Sequence, residues 1–372
     1  MSKIRLREVR WLGLALLSLT LPMAASPLAA EGAGSAPAED PSILPSEILP
    51  RAAKSLLLDV TGSEAGFVAV GERGHVLISH DGNAWTQVET PTRSTLTVVT
   101  SAGGQLWAGG HDGVILHSAD GGQHWQAQRR DPYHLAEGEN PADHDPRQGA
   151  PILDLMFSDA SNGIAVGAHS LMLVTGDGGA TWTAKQAIAS APEPATAAPM
   201  HGDLFSEADL QLDEESDPHL NAVARLESGD LVIVGERGTF LRSSNAGDSW
   251  QKSAFPYKGS MFGILSLGGN RLLAYGLRGN VYESSDLGSH WSKVETHGSA
   301  NLLGGCALAN GGTVLVGSNG TFLIRTSADA AFAARPFKNA SGETPTLAGV
   351  AQNDKGDYLL VGDKGVDLFH PQ

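Results

Sequence analysis

Seven apolar runs in this chain each break at a tight glycine turn and resume as a second apolar run. They read VAVGERGHVLIS (68–79), WAGGHDGVILHS (107–118), AVGAHSLMLVT (165–175), VIVGERGTFLRS (232–243), LAYGLRGNVYES (273–284), LVGSNGTFLIRT (315–326) and LVGDKGVDLF (360–369). A unit that recurs this often must stack on its own copies, because no single copy can bury both of its faces. The second glycine of each turn, or its equivalent, falls at 74, 113, 170 (a serine), 238, 279, 320 and 365. The intervals are 39, 57, 68, 41, 41 and 45 residues. A period of about 40 residues carrying four short strands is that of a propeller blade. The expected fold is all-β: a seven-bladed β-propeller of four-stranded blades, with insertions at about 129–150 and 188–219.

Blade four shows the division into strands: LNAVARLE (220–227) inside, then LVIVG (231–235), TFLRS (239–243) and, outermost, WQKSA (250–254). The seventh unit supplies TLAGVA, DYLLVG and VDLFH and then runs out of chain at Gln372. The segment SILPSEIL (42–49) belongs to no other blade and precedes the first inner strand, SLLLDV (55–60). It is expected to complete the last blade as an N-terminal strand and so close the ring, removing an open sheet edge.

Lys3, Arg5, Arg7 and Arg10 precede an apolar stretch from Trp11 to Met23, followed by AASPLAAEG. Basic residues, a short apolar core and small residues in that order make a signal peptide over 1–30, and the polar segment 31–42 reads as a flexible leader. The core is short for a membrane span, which leaves no transmembrane segment in the mature chain. Export to the periplasm, or to an equivalent lumenal compartment, follows. A net charge of −16 lacks the basic face that nucleic acid demands. The single cysteine, Cys306, lies in the apolar run LLGGCALA, and one cysteine makes neither an intramolecular disulfide nor a cysteine zinc site.

Most turns lead into Ser/Thr-x-Asp-x-Gly-x-x-Trp, clearest in SADGGQHW (118–125), TGDGGATW (175–182) and SSDLGSHW (284–291). An Asp at the third place bonds amides of its own turn, and the Trp packs between sheets. The structural set is Asp81 with Trp85, Asp120 with Trp125, Asp177 with Trp182, Asn245 with Trp250, and Asp286 with Trp291. Copy one is a residue short, copy four has Asn245 for Asp, and copy six (TSADAAF) is degenerate with Phe332 in the Trp place. Decay of this kind marks a staple, not a catalytic group. The pairing of G-x-x-G turns with these boxes resembles the Asp-box (bacterial neuraminidase repeat) propellers, more narrowly the photosystem II stability/assembly factor family. That resemblance implies a lumenal or periplasmic scaffold, linked to photosynthesis, that helps to assemble a membrane protein complex without catalysis.

In a four-stranded blade the glycine turns and the outer-to-inner connections share one face, and the Asp boxes occupy the other. The turn tips on the first face are Glu72/Arg73, His111/Asp112, Ala168/His169, Glu236/Arg237, Leu277/Arg278, Ser318/Asn319 and Asp363/Lys364. Arg73, His111, His169, Arg237, Arg278 and Lys364 are the candidate partner-binding residues, suited to carboxylates on a protein client. The bland alternative is a merely polar rim, with Glu72 and Glu236 neutralising their neighbours. Both insertions emerge on this face. The first carries His134, Glu137, Asp143, His144 and Asp145 at spacings that match no established metal site. The second carries Glu193, Asp203, Glu207, Asp209, Asp213, Glu214, Glu215 and Asp217, with no Lys or Arg. It reads as a solvated loop or an acidic docking arm, with Leu204, Phe205, Ala208 and Leu212 as one stripe of a short helix. The leading expectation is an exported, non-enzymatic, monomeric scaffold without cofactor or metal. The alternatives are a sialidase-like glycoside hydrolase, with Arg73, Arg237 and Arg278 as its arginine cluster, and a ligand- or metal-binding receptor.

Overall fold

Short runs of Val, Ile and Leu between glycine turns favour extended backbone, and in the computed structural model every one of the seven runs becomes a central hairpin. The structure describes residues 40–136, 138–186 and 217–371. Among these, seven antiparallel sheets follow one another, each in simple meander order. Blade one comprises Leu57–Ser63, Gly66–Gly71, Val76–Ser79 and Thr86–Val88. Blade four comprises Leu220–Arg225, Leu231–Gly235, Phe240–Ser243 and Gln251–Lys252, close to the sequence-based division. Second strands such as Leu231–Gly235 and Thr313–Gly317 are buried at every residue, because a neighbouring blade covers each face.

Adjacent blades are joined by apolar cores. Trp107 of blade two lies flat on Phe157 of blade three, with ring centroids 3.6 Å apart. Between blades four and five, Trp291 meets Phe240 and Phe255 at 5.3 and 4.9 Å. Every inner strand slips register once, between Leu57 and Asp59 in blade one and at the matching place in the other six. The extra residue bends the strand where it lines the central channel.

The expected ring closure does not form. The seventh sheet has three strands, Leu347–Gln352, Tyr358–Gly362 and Gly365–Phe369, and residues 42–49 contain no strand. They run instead along blade one and its exit. The Leu49 amide donates to Gln87 Oε1 (2.7 Å) and the Ser46 amide to the Thr90 carbonyl (2.9 Å). Arg93 N–H donates to the Pro41 carbonyl (2.7 Å), and Arg130 Nε to that of Ser42 (2.7 Å). Pro41, Pro45 and Pro50 lack the donors a ladder needs, so the segment is held by isolated main-chain bonds and by the Gln87 and Arg130 side chains. Blade one closes on blade seven without a shared strand: Leu57, Val60, Ala69 and Leu77 share one core with Val361 and Val366, and Lys54 pairs with Asp367 at 3.2 Å.

Candidate recognition face

Six of the seven glycine turns hold their middle residue in left-handed conformation, five of them as a single tight helical turn. The φ values are 55° at Arg73, 56° at Asp112, 54° at His169, 54° at Arg237, 57° at Arg278 and 59° at Asn319. The next position is pressed against the outer-to-inner connection of its own blade. A Cβ on Gly74 would lie 2.0 Å from the Thr92 carbonyl, which rules out larger residues there. The turns and those connections therefore share a face. On the other face the Asp turns meet the first hairpins: Gly178 N–H donates to Ser161 (2.8 Å) and Leu287 N–H to Asn270 (3.1 Å).

Acidic and amide side chains fasten the turns to inner strands. Glu72 Oε1 accepts from the Leu56 amide (3.2 Å), Glu236 Oε2 from His219 (3.2 Å) and Asn301 Oδ1 from Arg278 (2.9 Å). The work of Glu72 is thus to anchor its own turn, and no ion pair joins it to Arg73 among the described residues. Arg73, His111 and Arg278 are exposed, whereas His169 and Arg237 are half-buried. His169, His219 and Glu236 form one cluster: the His169 ring lies 5.1 Å from His219, itself 3.8 Å from Glu236. Burial, then the neighbouring His219, holds His169 below the usual imidazole range. The seventh turn departs from the others: Asp363 and Lys364 form a two-residue hairpin between paired Gly362 and Gly365, and Lys364 lies 3.6 Å from Glu343.

The first insertion is latched to this face. Asp131 N–H donates to the Asp112 carbonyl (2.8 Å), Gly149 N–H to Asp131 (2.9 Å) and Arg129 Nη1 to Gly113 (2.7 Å). His144 Nδ1 sits 3.0 Å from Glu139 Oε1, and Asp145 pairs with Arg147 at 3.1 Å. Among the described residues no three ligating side chains gather into a metal site. The loop and blade three enclose a cleft of about 600 Å³ lined by Arg129, His134, His144, Arg147, Leu171 and Leu173. The second insertion lies outside the described residues up to position 216, as does the leader to position 39.

On the opposite face the Asp turns close on their own backbone. Asp120 Oδ1 accepts from the His124 amide (3.0 Å) and from Ser118 Oγ (2.9 Å), while Ser118 Oγ accepts from the Gly122 amide (3.0 Å). Asp177 and Asp286 repeat the pattern, and Asn245 reproduces it with its amide oxygen. These bonds hold the Asp120, Asp177 and Asp286 carboxyls near 2 (all about 2). Asp81, in the shortened copy, instead accepts from Asn83 and Ala84. Trp85 and Trp125 donate to Gly82 and Gly122 of their own turns, while the buried indole nitrogens of Trp182, Trp250 and Trp291 have no partner among the described residues. In degenerate blade six, buried Arg325 replaces the Ser, bonding Thr313 and Glu283, with its guanidinium 5.1 Å from the Phe332 ring centre.

Two acids in the central channel escaped the sequence reasoning. Asp59 accepts from the Val60 amide and, across the blade boundary, from Val99 (2.8 and 2.9 Å). Asp154 likewise takes Leu155 and Val223 (both 2.8 Å). Burial raises them to about 7 and about 6 despite these bonds. Their only sequence signal is an Asp inside otherwise apolar inner strands, LLLDV and ILDLMF. Burial also pushes the Cys306 thiol up to about 12, making it inert at neutral pH. No tyrosine hydroxyl bonds a glutamate among the described residues; Tyr275 is buried and Tyr257 stacks on Tyr282.

Fold and turns together define a seven-bladed β-propeller whose blades are fastened on one face by Ser/Thr–Asp turns and carry charged left-handed tips on the other. Residues 146–366 match the family model for photosynthesis system II assembly factor YCF48, and the chain belongs to that family. YCF48 from Cyanidioschyzon merolae is similar in structure (TM-score 0.59, 18% identity, 88% of this chain and 98% of that one). So is YCF48 bound to D1 peptide (TM-score 0.59, 16% identity, 88% and 96%). The WD40 propeller domain of Doa1 shares the fold as well (TM-score 0.61, 14% identity, 86% and 93%). No curated protein matches the chain.

Proposed function

We propose that this protein is an exported, non-enzymatic assembly factor that holds a carboxylate-bearing segment of a protein client, part of a membrane protein complex, on its glycine-turn face. One observation carries the reading: Arg73, Arg237 and Arg278 occupy left-handed backbone at φ 55°, 54° and 57°. Glycine or asparagine takes that conformation at lower cost, and blade six has Asn319 there. Keeping arginine costs roughly 1 kcal/mol at each turn, a strain that points to a role for the guanidinium. Arginine is the side chain best shaped for two-pronged carboxylate binding. The guanidinium groups of Arg73 and Arg278 have no ion pair or hydrogen bond among the described residues. Family membership and the solved YCF48–D1 peptide complex support a protein client. The basic-apolar-small order of residues 1–30 supports export.

The test is pull-down from detergent-solubilised envelopes, comparing wild type with the triple variant Arg73→Asn, Arg237→Asn, Arg278→Asn. Wild type should retain a membrane complex, and the variant should lose it while melting no lower, since asparagine relieves the turns. A wild-type protein that captures no complex but turns over a sialoside refutes the reading.

A further inference from the structure

Among the described residues the seventh blade has no outer strand, yet its core is complete. In blade five, Trp291 of the turn before the outer strand packs on Phe240 and Phe255 at 5.3 and 4.9 Å. In blade seven, Phe369 of the third strand packs on Phe322 and Phe337 at 4.9 and 5.4 Å. Phe322 holds the register place in blade six that Phe240 holds in blade four. One ring therefore does in blade seven what a tryptophan does elsewhere, and no fourth strand is needed to bury apolar surface. What stays open is a main-chain edge.

Gly362 pairs with Gly365 across the two-residue turn, and alternation along the ladder directs the N–H and C=O of Val366 and Leu368 outward. The Val366 carbonyl duly accepts from Lys54 Nζ at 3.4 Å. The same register places in blade one, Val76 to Ile78, pair with Val88, Gln87 and Thr86 of an outer strand. The backbone of residues 52–54 meets the Gly365 end of the edge in blade seven, where a Cβ on Gly365 would lie 2.0 Å from the Ala53 carbonyl, and the Lys54 side chain reaches on to Val366 and Asp367. Among the described residues nothing outside its own sheet bonds Leu368.

We propose that this edge takes an extended segment of a partner protein as the fourth strand of blade seven, antiparallel to Gly365–Phe369 and bonded to Val366 and Leu368. The proposal rests on the reading of the protein as a binder of a client peptide, and adds a second place where such a client is held. A second copy of this chain does not suit the edge, because pairing over three residues falls far short of the roughly 1,200 Å² that a stable interface buries. A flexible peptide needs only the main-chain bonds. Lys54 and Lys364 flank the edge in exposed ion pairs, with Asp367 at 3.2 Å and Glu343 at 3.6 Å, their own side chains 61% and 48% exposed. An exposed pair of this kind adds little stability, so the segment carries a carboxylate that exchanges with Asp367 for Lys54 once the incoming strand takes over Val366.

The probe is a labelled synthetic peptide, AWTQVET, the sequence of residues 84–90, which includes the outer strand of blade one and Glu89. Its binding to the full chain is followed by fluorescence anisotropy while single peptide amides are N-methylated in turn. Methylation at alternate residues should weaken binding about tenfold, and at the residues between them less than about twofold, because only alternate amides face the edge. Addition of the peptide should slow hydrogen exchange at the Leu368 amide. Leu368→Pro, which removes only an outward donor, should weaken binding to a similar degree. No binding, or a loss spread evenly along the peptide, overturns the proposal. Either result leaves the rim reading standing, since envelope pull-down with the arginine variants judges that separately.

Discussion

Replacing Asp59 with valine should flatten the dependence of stability on pH. Valine fits the site, because Val98 holds the same register place in blade two. Burial raises the Asp59 carboxyl from its ordinary 3.8 to about 7, so between those values the folded chain binds a proton that the unfolded chain has released. Stability supplied by this group is full below about pH 4 and is lost as pH rises through about 7. Each pH unit in that window costs about 1.4 kcal/mol, which sums to about 4 kcal/mol for Asp59. The substitution also strips the Val99 amide of its acceptor, a penalty of about 1–3 kcal/mol present at every pH. The variant is therefore weaker than wild type near pH 4.5 and overtakes it near pH 8. His75, buried and held below its usual range, acts in the opposite direction, but it is common to both proteins and cancels in the difference. Urea denaturation followed by tryptophan fluorescence across this range measures the two curves. Parallel curves for variant and wild type would refute the argument.

Two further substitutions probe the turns. Ser118→Ala removes the acceptor of the buried Gly122 amide and should cost about 1–2 kcal/mol in the same assay, whereas Asp120→Asn should be nearly neutral, as Asn245 already shows. Arg325→Ser restores the consensus residue of the turn but breaks a buried pair with Glu283, and should cost roughly 3 kcal/mol; a gain in stability would show that the consensus outweighs the pair.

Much of the fold was legible because its signals are local. The Asp turns close within eight residues, as from Ser118 to Trp125, and the left-handed tips are set by hydrogen bonds inside each turn. Other features depend on what a blade meets. The N-terminal segment reads as the missing strand of the last blade because it belongs to no other blade, yet its prolines and the Gln87 side chain hold it on blade one. Glu72 looked like a partner for Arg73, but its carboxylate is engaged by the Leu56 amide on the inner strand. Arg325 reads as decay of a motif until Glu283 of the neighbouring blade is placed beside it.

The sequence alone determined the number of blades, the strand order within each and the face on which each turn lies, because period, glycine spacing and turn chemistry act over a few residues. Only the tertiary structure decided how the ring closes, which acids are buried in the channel, and that Phe369 stands in for a tryptophan and leaves a strand edge open. Those outcomes turn on contacts between blades dozens to hundreds of residues apart, where burial and shape complementarity act and local pattern carries no signal.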